Sequence, residues 1–485
     1  MKKDWENVTL MPEFDEQGVA CYRLDGGDYL NEYYVVSEAE TRKLLNTPEI
    51  VGYEVYNCLI PSTSQMLYYL KEQKKVTTAN ILSILRGALN YPLEESCYRE
   101  HIRVHDISFL SSERVFQEEE IAGLEIKYSK LTMVPDSTLM IGDIIASGET
   151  LIHCLRYVTD FYRNHGAKLR NIIIFTIGGT KGIEILEDLT RDIREFWPEF
   201  EGFITVYYEG IFGMYEDKGV SGINLPNVDF YWKGGIVAPE FRRETLSMCS
   251  PLFEKCIIYD GGARRYEIHE HVEEVLEFWN GIKERAGQID FGTLLEEKLG
   301  YELPISYEDW IHANHYEKIR PADTKWLYRQ EQGYVESMKN ITLEELAQQR
   351  IDEGKKGFVT MFMIMLGFTF FSASMWAGQQ LAAGLDFWGF LKSLLFGGAI
   401  LGLYTGLLGY VGAKTGMSMD LLAQKAFGEK GSYLSSAMIS FTQIGWFGVG
   451  IAMFAIPVAG ELFGDSKTAM WALVIGAGVC MTASA

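Results

Sequence analysis

Residues 138–151 of this 485-residue chain (TLMIGDIIASGETL) combine the residue types that hold phosphate and sugar groups. An apolar stretch runs into Asp143 and the small-residue loop Ala146-Ser147-Gly148, after which Glu149-Thr150 opens a helical pattern. Backbone N–H groups at a helix N-terminus bind phosphate, and the Ser147 and Thr150 hydroxyls would add donors. Asp143, at the carboxyl end of the stretch, is suited to ribose hydroxyls or a metal ion. The same pattern also fits an ordinary strand–turn–helix junction with a capping hydroxyl.

Elements on either side of this loop predict an α/β fold with a mainly parallel sheet. Residues 150–164 and 181–196 show helical periodicity between the apolar runs. Strands that alternate with helices favour a parallel sheet, which we expect to occupy residues 1–250. The apolar runs suited to its buried strands are Ile81–Leu85, Thr138–Ile141, Ile172–Ile177 and Phe203–Tyr208. Residues 251–355 become charged and helical, so we interpret them as a helical extension and connector.

The loop resembles the phosphoribosyl diphosphate (PRPP) signature of type I phosphoribosyltransferases, in which a hydrophobic strand and two acids precede A-[ST]-G-x-[ST]. Further segments within residues 60–240 resemble the uracil-specific branch of that family. Residues 84–89 (ILRGAL) resemble its pyrophosphate loop, residues 128–131 (YSKL) its YYxKLP segment, and residues 165–184 its GAK…PEGIE run. The resemblance implies a phosphoribosyltransferase-like fold and Mg²⁺-assisted PRPP binding. The residues implied to bind PRPP are Arg86, Gly87, Lys130, Asp143, Ala146, Ser147, Gly148, Glu149 and Thr150.

Two departures from the family pattern leave the activity of this domain open. The first acid of the usual pair is Gly142, so one ribose or Mg²⁺ contact is missing. Residues 233–239 (KGGIVAP) lie where the uracil-reading GDAGDR segment is expected but contain no Asp. The domain is therefore either a phosphoribosyltransferase acting on a pyrimidine base or a protein that binds PRPP or a nucleotide without turnover.

Charge and cysteine usage narrow the class of protein. Residues 357–485 contain five Lys, no Arg and five acidic residues, so the net charge of −22 is carried by residues 1–356. This acidic excess argues against nucleic-acid binding. Seven scattered cysteines without a CxxC pair indicate free thiols in a reducing cytoplasm. The four histidines at positions 269, 271, 312 and 315 lack a fixed ligand spacing, which favours surface histidines over a metal site.

From Gly357 onward the chain predicts membrane-spanning helices. Four apolar segments follow in succession, each long enough to cross a hydrocarbon core of roughly 30 Å or to begin doing so. They are residues 357–377, 387–411, 435–460 and 468–485. Lys355 and Lys356 precede the first segment and three further Lys lie between the second and third, whereas residues 379–386 have none. The positive-inside rule therefore places the N-terminal domain in the cytoplasm of a multi-pass inner-membrane protein.

Polar and aromatic residues in these spans offer a site for a flat ligand. Gln443 and Trp446 are three residues apart and therefore share one helical face. A Gln amide provides a donor and an acceptor, as a pyrimidine edge requires, and an indole provides a stacking surface. From the residues alone, a helix–helix hydrogen bond and an interfacial Trp remain the alternative.

The segments LGFTFFSASMWAG, LGLYTGLLGYVGAKTG, LLAQKAFGEKGSYL and TQIGWFGVGIAMFAIP, within residues 356–485, resemble the opening third of the cytosine permeases. These belong to the nucleobase:cation symporter-1 family, whose inverted-repeat fold has twelve helices. The resemblance implies a broken first helix at Phe371, Ser372 and Ser374 that lines the substrate and ion sites. It further implies that Gln443 and Trp446 bind the base and that Na⁺ or H⁺ is the coupling ion. Because about a third of the fold is present, we expect the chain to be part of a longer transporter.

Together these features predict a cytoplasmic phosphoribosyltransferase-like domain fused to a cation-coupled nucleobase permease, joining uptake to salvage. The partners expected are the lipid bilayer, a cytosine-type base and PRPP, with no nucleic acid. The alternative is that the soluble domain binds PRPP or a nucleotide and regulates the permease.

Overall fold

The computed structural model describes residues 7–85, 91–117, 120–146, 148–215, 219–221, 229–254, 261–353, 384–415, 419–464 and 466–484. The chain divides into two compact units, Met1–Lys355 and Lys356–Ala485. This boundary lies within two residues of Gly357, where the sequence changes from charged to mainly apolar. The further division of the first unit into residues 1–250 and 251–355 stays a prediction.

A ten-stranded sheet forms the centre of the first unit. The strands are β1 (Thr9–Glu16), β2 (Val19–Asp25), β3 (Glu32–Ser37), β4 (Thr78–Leu85), β5 (Arg103–Gln117), β6 (Glu120–Lys130), β7 (Ser137–Ile145), β8 (Leu169–Gly179), β9 (Phe203–Tyr215) and β10 (Asp229–Val237). Their order is β1-β2-β3-β9-β8-β7-β4-β5-β6, and β10 pairs with β9 off this path. The pairs from β3 through β9, β8, β7 and β4 to β5 are parallel, and the outer pairs are antiparallel.

Five helices connect the strands: α1 (Ala39–Asn46), α2 (Tyr53–Lys74), α3 (Tyr91–Arg99), α4 (Glu149–Asn164) and α5 (Lys181–Phe196). Helix α5 buries residues spaced three or four apart, among them Ile183, Leu186 and Ile193. This spacing places its apolar side chains on one helical stripe, which packs on β8 and β9. Strand β8 between these helices is almost continuously buried, as expected for a strand covered on both faces.

In the described part of the first unit, seven more α-helices follow and share its hydrophobic core. They are α6 (Pro239–Met248), α7 (Gly261–Tyr266), α8 (Ile268–Arg285), α9 (Phe291–Leu299), α10 (Tyr307–Ala313), α11 (Pro321–Met338) and α12 (Leu343–Glu353). Trp279, Trp310 and Ala347 are fully buried and belong to the same core cluster as the sheet residues. The strand β1 at the sheet edge is covered by the segment after α10, because the Leu10 N–H donates to the His315 carbonyl at 2.9 Å.

The four strands expected from the sequence are confirmed as β4, β7, β8 and β9, and both expected helices are confirmed as α4 and α5. The antiparallel flanks formed by β1, β2, β5, β6 and β10, together with the parallel strand β3, were missing from that prediction. These flanking strands carry many polar side chains, so they lack the uninterrupted apolar run by which a doubly covered strand is found. The fold is therefore α/β with a mixed sheet whose centre is parallel.

The second unit is helical where the structure describes it. Its helices are α13 (Phe387–Thr415), α14 (Met419–Phe463) and α15 (Lys467–Ser484), and α14 is interrupted by non-helical dihedral angles at Gly428. Residues 387–411 and 440–461 form two helices long and apolar enough to cross a membrane. The first of these helices has the bounds expected for the second span, and the second lies within α14 where the third span was expected. The expected first span, residues 357–377, lies outside the described residues.

Candidate functional site

Strands β4 and β7 are parallel and lie side by side, and the chain leaves them toward opposite sides of the sheet. From β4 the chain continues through α3 to β5 on one side, and from β7 it continues through α4 to β8 on the other. In open α/β sheets, ligands bind outside the carboxyl ends of the strands at such a switch point. The predicted phosphate loop, residues 146–150, follows the carboxyl end of β7 and therefore lies at this position.

Gly148 adopts the left-handed conformation that the loop needs, with φ of 76°, and is the N-cap residue of α4. Its carbonyl accepts the first helical hydrogen bond, from the Ile152 N–H at 2.9 Å. A glycine N-cap brings no side chain to the N–H groups of the first turn, so these donors can meet an anion. Gly148 is also tightly packed, because a Cβ there would lie 2.8 Å from Ile185 Cδ1.

Asp143 lies two residues before the end of β7, level with Thr176 of β8. Its carboxylate accepts a hydrogen bond from the Ile144 N–H at 2.9 Å. Burial raises the pKa of this carboxyl to about 7, and the single backbone hydrogen bond only partly offsets that effect. Asp143 therefore changes charge near neutral pH, which makes any contact it forms with a ligand pH-dependent.

The structure brings part of the predicted PRPP set to this edge. Ala146 and Thr150 are half-buried beside Gly148, and Glu149 is exposed at the first position of α4. Lys130 is the last residue of β6 and pairs with Phe109 of β5, which is level with Ser83 of β4. Two strand spacings, roughly 10 Å, separate Lys130 from β4. Arg86, Gly87 and Ser147 lie outside the described residues.

Residues 233–239, where a base-reading segment was expected, form the end of β10 and the start of α6. Gly234 has a φ of 70°, and Pro239 opens α6, so the segment is a strand–helix junction beside β9. Strands β9 and β8 separate it from β7. No carboxylate of this segment is available to read a base, because residues 233–239 contain no acid.

Sequence reasoning did not find Glu209, a fully buried carboxylate in β9. Its backbone has a φ of 64°, uncommon for a residue with a Cβ, at a register shift between β8 and β9. Its Oε1 accepts from the Glu38 N–H at 2.9 Å and from the Thr41 hydroxyl, at the N-terminus of α1. Burial raises the pKa of Glu209 to about 8. An isolated Glu in an apolar strand has no sequence signature that would distinguish it.

The expectation that the four histidines lie on the surface is wrong for His271 and His315. His271 is fully buried and its Nε2 bonds the Pro48 carbonyl at 2.8 Å, while half-buried His315 bonds the Val8 carbonyl through Nδ1 at 2.7 Å. Both rings join segments that are far apart in sequence, so their role is to hold loops in place. Within the described residues no group of three or more His, Cys, Asp and Glu is placed to hold a metal ion.

In the second unit, Gln443 and Trp446 lie on α14 within the candidate span of residues 440–461. The two positions are three residues apart on this helix, the spacing of neighbours on one helical face. The Trp446 side chain is 44% exposed, so its ring is accessible on that face. Phe371, Ser372 and Ser374 lie outside the described residues.

Residues 352–484 match a family model described as "Permease for cytosine/purines, uracil, thiamine, allantoin". A segment of 104 residues is 55% identical to the cytosine permease of Escherichia coli strain K12, covering 21% of this chain and 25% of the relative. The cytosine permeases of E. coli O6:H1 and O157:H7 match equally well. The chain thus spans about a quarter of the length of the curated relatives it matches.

Solved structures similar to the chain include the AQ2163 protein of Aquifex aeolicus, at 16% identity and a TM-score of 0.26 over 36% of this chain and 86% of that one. Hypoxanthine-guanine phosphoribosyltransferase of L. donovani matches at 15% identity and a TM-score of 0.23, over 28% and 76% of the two chains. Hypoxanthine phosphoribosyltransferase of Staphylococcus aureus matches at 14% identity and a TM-score of 0.20, over 29% and 64%. At these TM-scores the likeness supports no conclusion about the first unit.

The sequence match in the second unit is much stronger, because 55% of 104 aligned residues are identical. The family model also covers residues 352–484, which include the two apolar helices of membrane-spanning length. Residues 352–484 therefore match the cytosine/purine permease family, a family of membrane proteins.

Proposed function

We propose that residues 352–484 belong to a permease that carries cytosine or a closely related nucleobase across the inner membrane. The observation that carries this proposal is the 55% identity to E. coli cytosine permease over 104 residues. The two apolar helices at residues 387–411 and 440–461 support it by length and composition. The proposal is tested by measuring radiolabelled cytosine uptake into membrane vesicles that contain a complete transporter with this region. Uptake would support the proposal, and a correctly inserted transporter that takes up no cytosine would contradict it.

Within that permease, Gln443 and Trp446 would bind the base from one face of α14. A nucleobase is flat and rimmed with donors and acceptors, so its site needs a stacking surface and an amide in register. The i, i+3 spacing on α14 supplies both. Phe371, Ser372 and Ser374 would line the substrate and ion sites from a broken first helix, with Na⁺ or H⁺ as the coupling ion.

For the first unit we propose a PRPP site at the switch point between β4 and β7. The first-turn N–H groups of α4 would bind the 5′-phosphate, and the Asp143 carboxylate would accept from the ribose hydroxyls. Asp143 is also the acid at this edge that could hold Mg²⁺, whose ligands are oxygens. The base to be joined to PRPP would be a pyrimidine, which couples import to nucleotide salvage.

A second function, non-catalytic PRPP or nucleotide sensing, is favoured by two specific observations. Gly142 stands where the family has an acid, and residues 233–239 form a strand–helix junction without a carboxylate. Such a domain would bind its ligand and regulate the permease. Pyrophosphate release from PRPP and cytosine or uracil separates the two functions, because an enzyme releases it and a sensor only binds.

We also propose that the first unit lies in the cytoplasm. The Lys residues that flank the apolar segments favour that orientation, and PRPP would be met there. The five cysteines described in the first unit are buried free thiols, a usage typical of a reducing compartment.

A further inference from the structure

Helices α6 and α11 of the first unit pack against each other and leave a pocket of about 230 Å³ beside their contact. Glu240 and Arg243 line it from α6, three residues apart and therefore on one face of that helix. Asp323 and Trp326 line it from α11 with the same spacing. An engineered cavity of about 150 Å³ is enough to hold benzene, so this pocket has room for a substituted six-membered ring.

A buried ion pair fixes the two helices to each other. Arg242 of α6 and Glu331 of α11 are 3.3 Å apart between Nη1 and Oε1, and their side chains are only 3% and 0% exposed. The Arg242 guanidinium also lies 4.5 Å from the ring centroid of Trp232. Separating a buried pair leaves an uncompensated charge, which is strongly unfavourable. The walls of the pocket therefore stay at a fixed spacing, and a ligand would find the pocket already formed.

The floor of the pocket is apolar and one wall is aromatic. Ile319 and Leu327 are buried, whereas the large Trp326 side chain is 48% exposed. The Arg243 guanidinium lies 5.5 Å from the Trp326 ring centroid, a cation–π contact that restricts the orientation of the indole. An indole held beside an apolar floor offers a stacking surface to a flat ring.

Two carboxylates supply acceptors at the same pocket. Glu240 accepts from the Tyr22 hydroxyl through Oε1 at 2.7 Å, whereas its Oε2 is buried and has no hydrogen-bond partner among the described residues. Both oxygens of Asp323 accept from Arg320, at 2.8 Å and 3.1 Å, and a carboxylate can accept further donors. A buried acceptor without a donor is unfavourable, so a ligand amino group that reached Glu240 would stabilise the complex.

This combination of groups selects a neutral flat ring that carries both an amino group and a carbonyl. A carboxylate accepts from the exocyclic amino group of cytosine, and the Arg243 guanidinium can donate to a ring carbonyl. Uracil has a carbonyl in place of that amino group, so it would bring an acceptor against an acceptor. The carboxylates of Glu240 and Asp323 repel a phosphate, and Arg243 repels a cation, which disfavours nucleotides and cationic ligands.

We propose that the pocket between α6 and α11 binds a free amino-oxo nucleobase such as cytosine, stacked on Trp326, with its amino group on Glu240 and its carbonyl facing Arg243. The site is separate from the β4–β7 switch point, because β9 and β8 lie between β7 and β10, the strand that leads into α6. The inference is thus independent of the proposed PRPP site. The role of the pocket as a sensor of imported base rests on the proposed permease function, since that permease would deliver free base.

Calorimetry with the whole chain in detergent tests the site, using cytosine and uracil as ligands. Every protein carries Trp446→Ala, which weakens the proposed permease site and so isolates the first unit. Cytosine should bind roughly tenfold or more tightly than uracil. Trp326→Ala should weaken cytosine binding roughly five- to hundredfold, as expected for loss of one base–aromatic stack.

Glu240→Gln separates base recognition from a structural role. The Gln oxygen can still accept from Tyr22, but its amide NH₂ would oppose the amino group of cytosine and donate to the carbonyl of uracil. This variant should therefore lose the preference for cytosine, a change that altered stability alone would not produce. Tyr98→Ala is the matched control for Trp326→Ala, because Tyr98 is an aromatic residue on α3 that is 79% exposed, and it should leave cytosine affinity unchanged.

The remaining outcomes overturn the inference. Absence of cytosine binding in the Trp446→Ala chain would remove the pocket as a base site and leave the permease site standing. Unchanged cytosine affinity in Trp326→Ala, or an unchanged preference in Glu240→Gln, would contradict the assigned contacts. Displacement of cytosine by PRPP would place the base at the switch point between β4 and β7 instead.

Discussion

At the scale of single residues, the candidate phosphate loop depends on one backbone conformation and one carboxyl group. Gly148 has a φ of 76° and no space for a Cβ, so glycine is needed there for both conformation and packing. Asp143 is the acid of the signature that the structure places at the end of β7, and burial raises its pKa to about 7. For each residue we predict an effect on ligand binding that would not be seen if the loop were only a strand–turn–helix junction.

Gly148→Val should abolish PRPP binding. The added side chain conflicts with Ile185 and is strained at positive φ, so the loop must shift and carry its N–H groups away from the phosphate. Calorimetry with PRPP and Mg²⁺ measures the effect. Gly166→Val is the matched control, because Gly166 has a φ of 71° but no atom within 4 Å of an added Cβ. Equal PRPP affinity in the parent chain and Gly148→Val would rule out this loop as the phosphate site.

PRPP binding should strengthen between about pH 6 and about pH 8 through ionisation of Asp143. Because burial raises the pKa of Asp143 to about 7, the carboxylate that accepts from ribose hydroxyls is mostly protonated at the lower pH. If only the ionised form binds, affinity changes about tenfold over this range. Asp143→Asn should bind PRPP weakly, and its affinity should depend less on pH. The pH dependence that remains would come from ionisation of the phosphate groups of PRPP itself. Identical profiles for the two proteins would exclude Asp143 from the contact.

At the scale of elements, the contact between β9 and α1 contains a residue in an energetically unfavourable state, a buried glutamate. Glu209 is buried at positive φ, and its carboxyl group accepts from the Glu38 N–H and the Thr41 hydroxyl at the start of α1. In the described part of the chain, its Oε2 has no hydrogen-bond partner. The joint between β3, β9 and α1 is therefore sensitive to the charge on this group.

Glu209→Gln should gain stability relative to the parent chain as the pH rises. Folding raises the pKa of Glu209 from 4.5 to about 8, so the stabilisation linked to its proton is complete below about pH 4.5 and is lost as the pH rises through about 8. The shift corresponds to about 4–5 kcal/mol between the two protonation states, an upper limit for the effect. The side-chain oxygen of a neutral Gln can still accept from the Glu38 N–H and the Thr41 hydroxyl. Because Gln does not ionise, the Gln variant should not lose this stabilisation at high pH.

Pulse proteolysis in urea at about pH 6 and about pH 9 measures the stability of the first unit within the whole chain. Glu184→Gln removes the charge of an exposed glutamate on α5 and serves as the control. A pH-independent difference between the parent chain and Glu209→Gln would show that Glu209 does not titrate in this range.

Helix α14 carries the element-scale prediction for the permease. Trp446→Ala should weaken cytosine binding by roughly one to two orders of magnitude, because base–aromatic stacking is worth roughly 1–3 kcal/mol. Gln443→Ala should weaken cytosine binding by about as much, because the polar edge of the base would be left without a hydrogen-bond partner in a site that excludes water. Binding by a purified transporter containing residues 352–484, normalised to its folded fraction, is the measurement. If the variants yield less folded protein but each folded molecule binds cytosine as tightly as the parent, Gln443 and Trp446 would serve helix packing rather than base binding.

The sequence predicted the elements that a periodic apolar pattern defines. Helix α5 has the predicted bounds, Lys181–Phe196, and the apolar helix of membrane-spanning length at residues 387–411 has the bounds expected for the second span. Gly148 could be identified from the sequence because a glycine between a strand and a helix indicates a tight turn, which depends only on neighbouring residues. The buried Glu209 could not, because its hydrogen-bond donors come from the start of α1, which it meets only in the folded chain. The polar edge strands were missed for a different reason, because they lack the uninterrupted apolar run of a strand covered on both faces.

At the scale of the whole molecule, two compact units with opposite solvent preferences share one chain. Residues 1–356 carry the entire net charge of −22, almost all of them in the first unit with its buried core, and the second unit exposes large apolar side chains along α13. Phe396 and Leu403 on α13, for example, are 72% and 68% exposed. Apolar surface of this extent is stable against lipid rather than water, in keeping with the permease match of residues 352–484.

Transport by a chimera is the most direct measurement of the central claim, that this region belongs to a cytosine-type permease. The 104-residue aligned segment of this region would replace the matching quarter of E. coli cytosine permease, and radiolabelled cytosine uptake would be followed in cells without another cytosine transporter. We expect cation-dependent uptake close to that of the parent permease, abolished or strongly reduced by Trp446→Ala. A chimera that reaches the membrane in normal amounts but neither binds nor takes up cytosine would contradict the assignment.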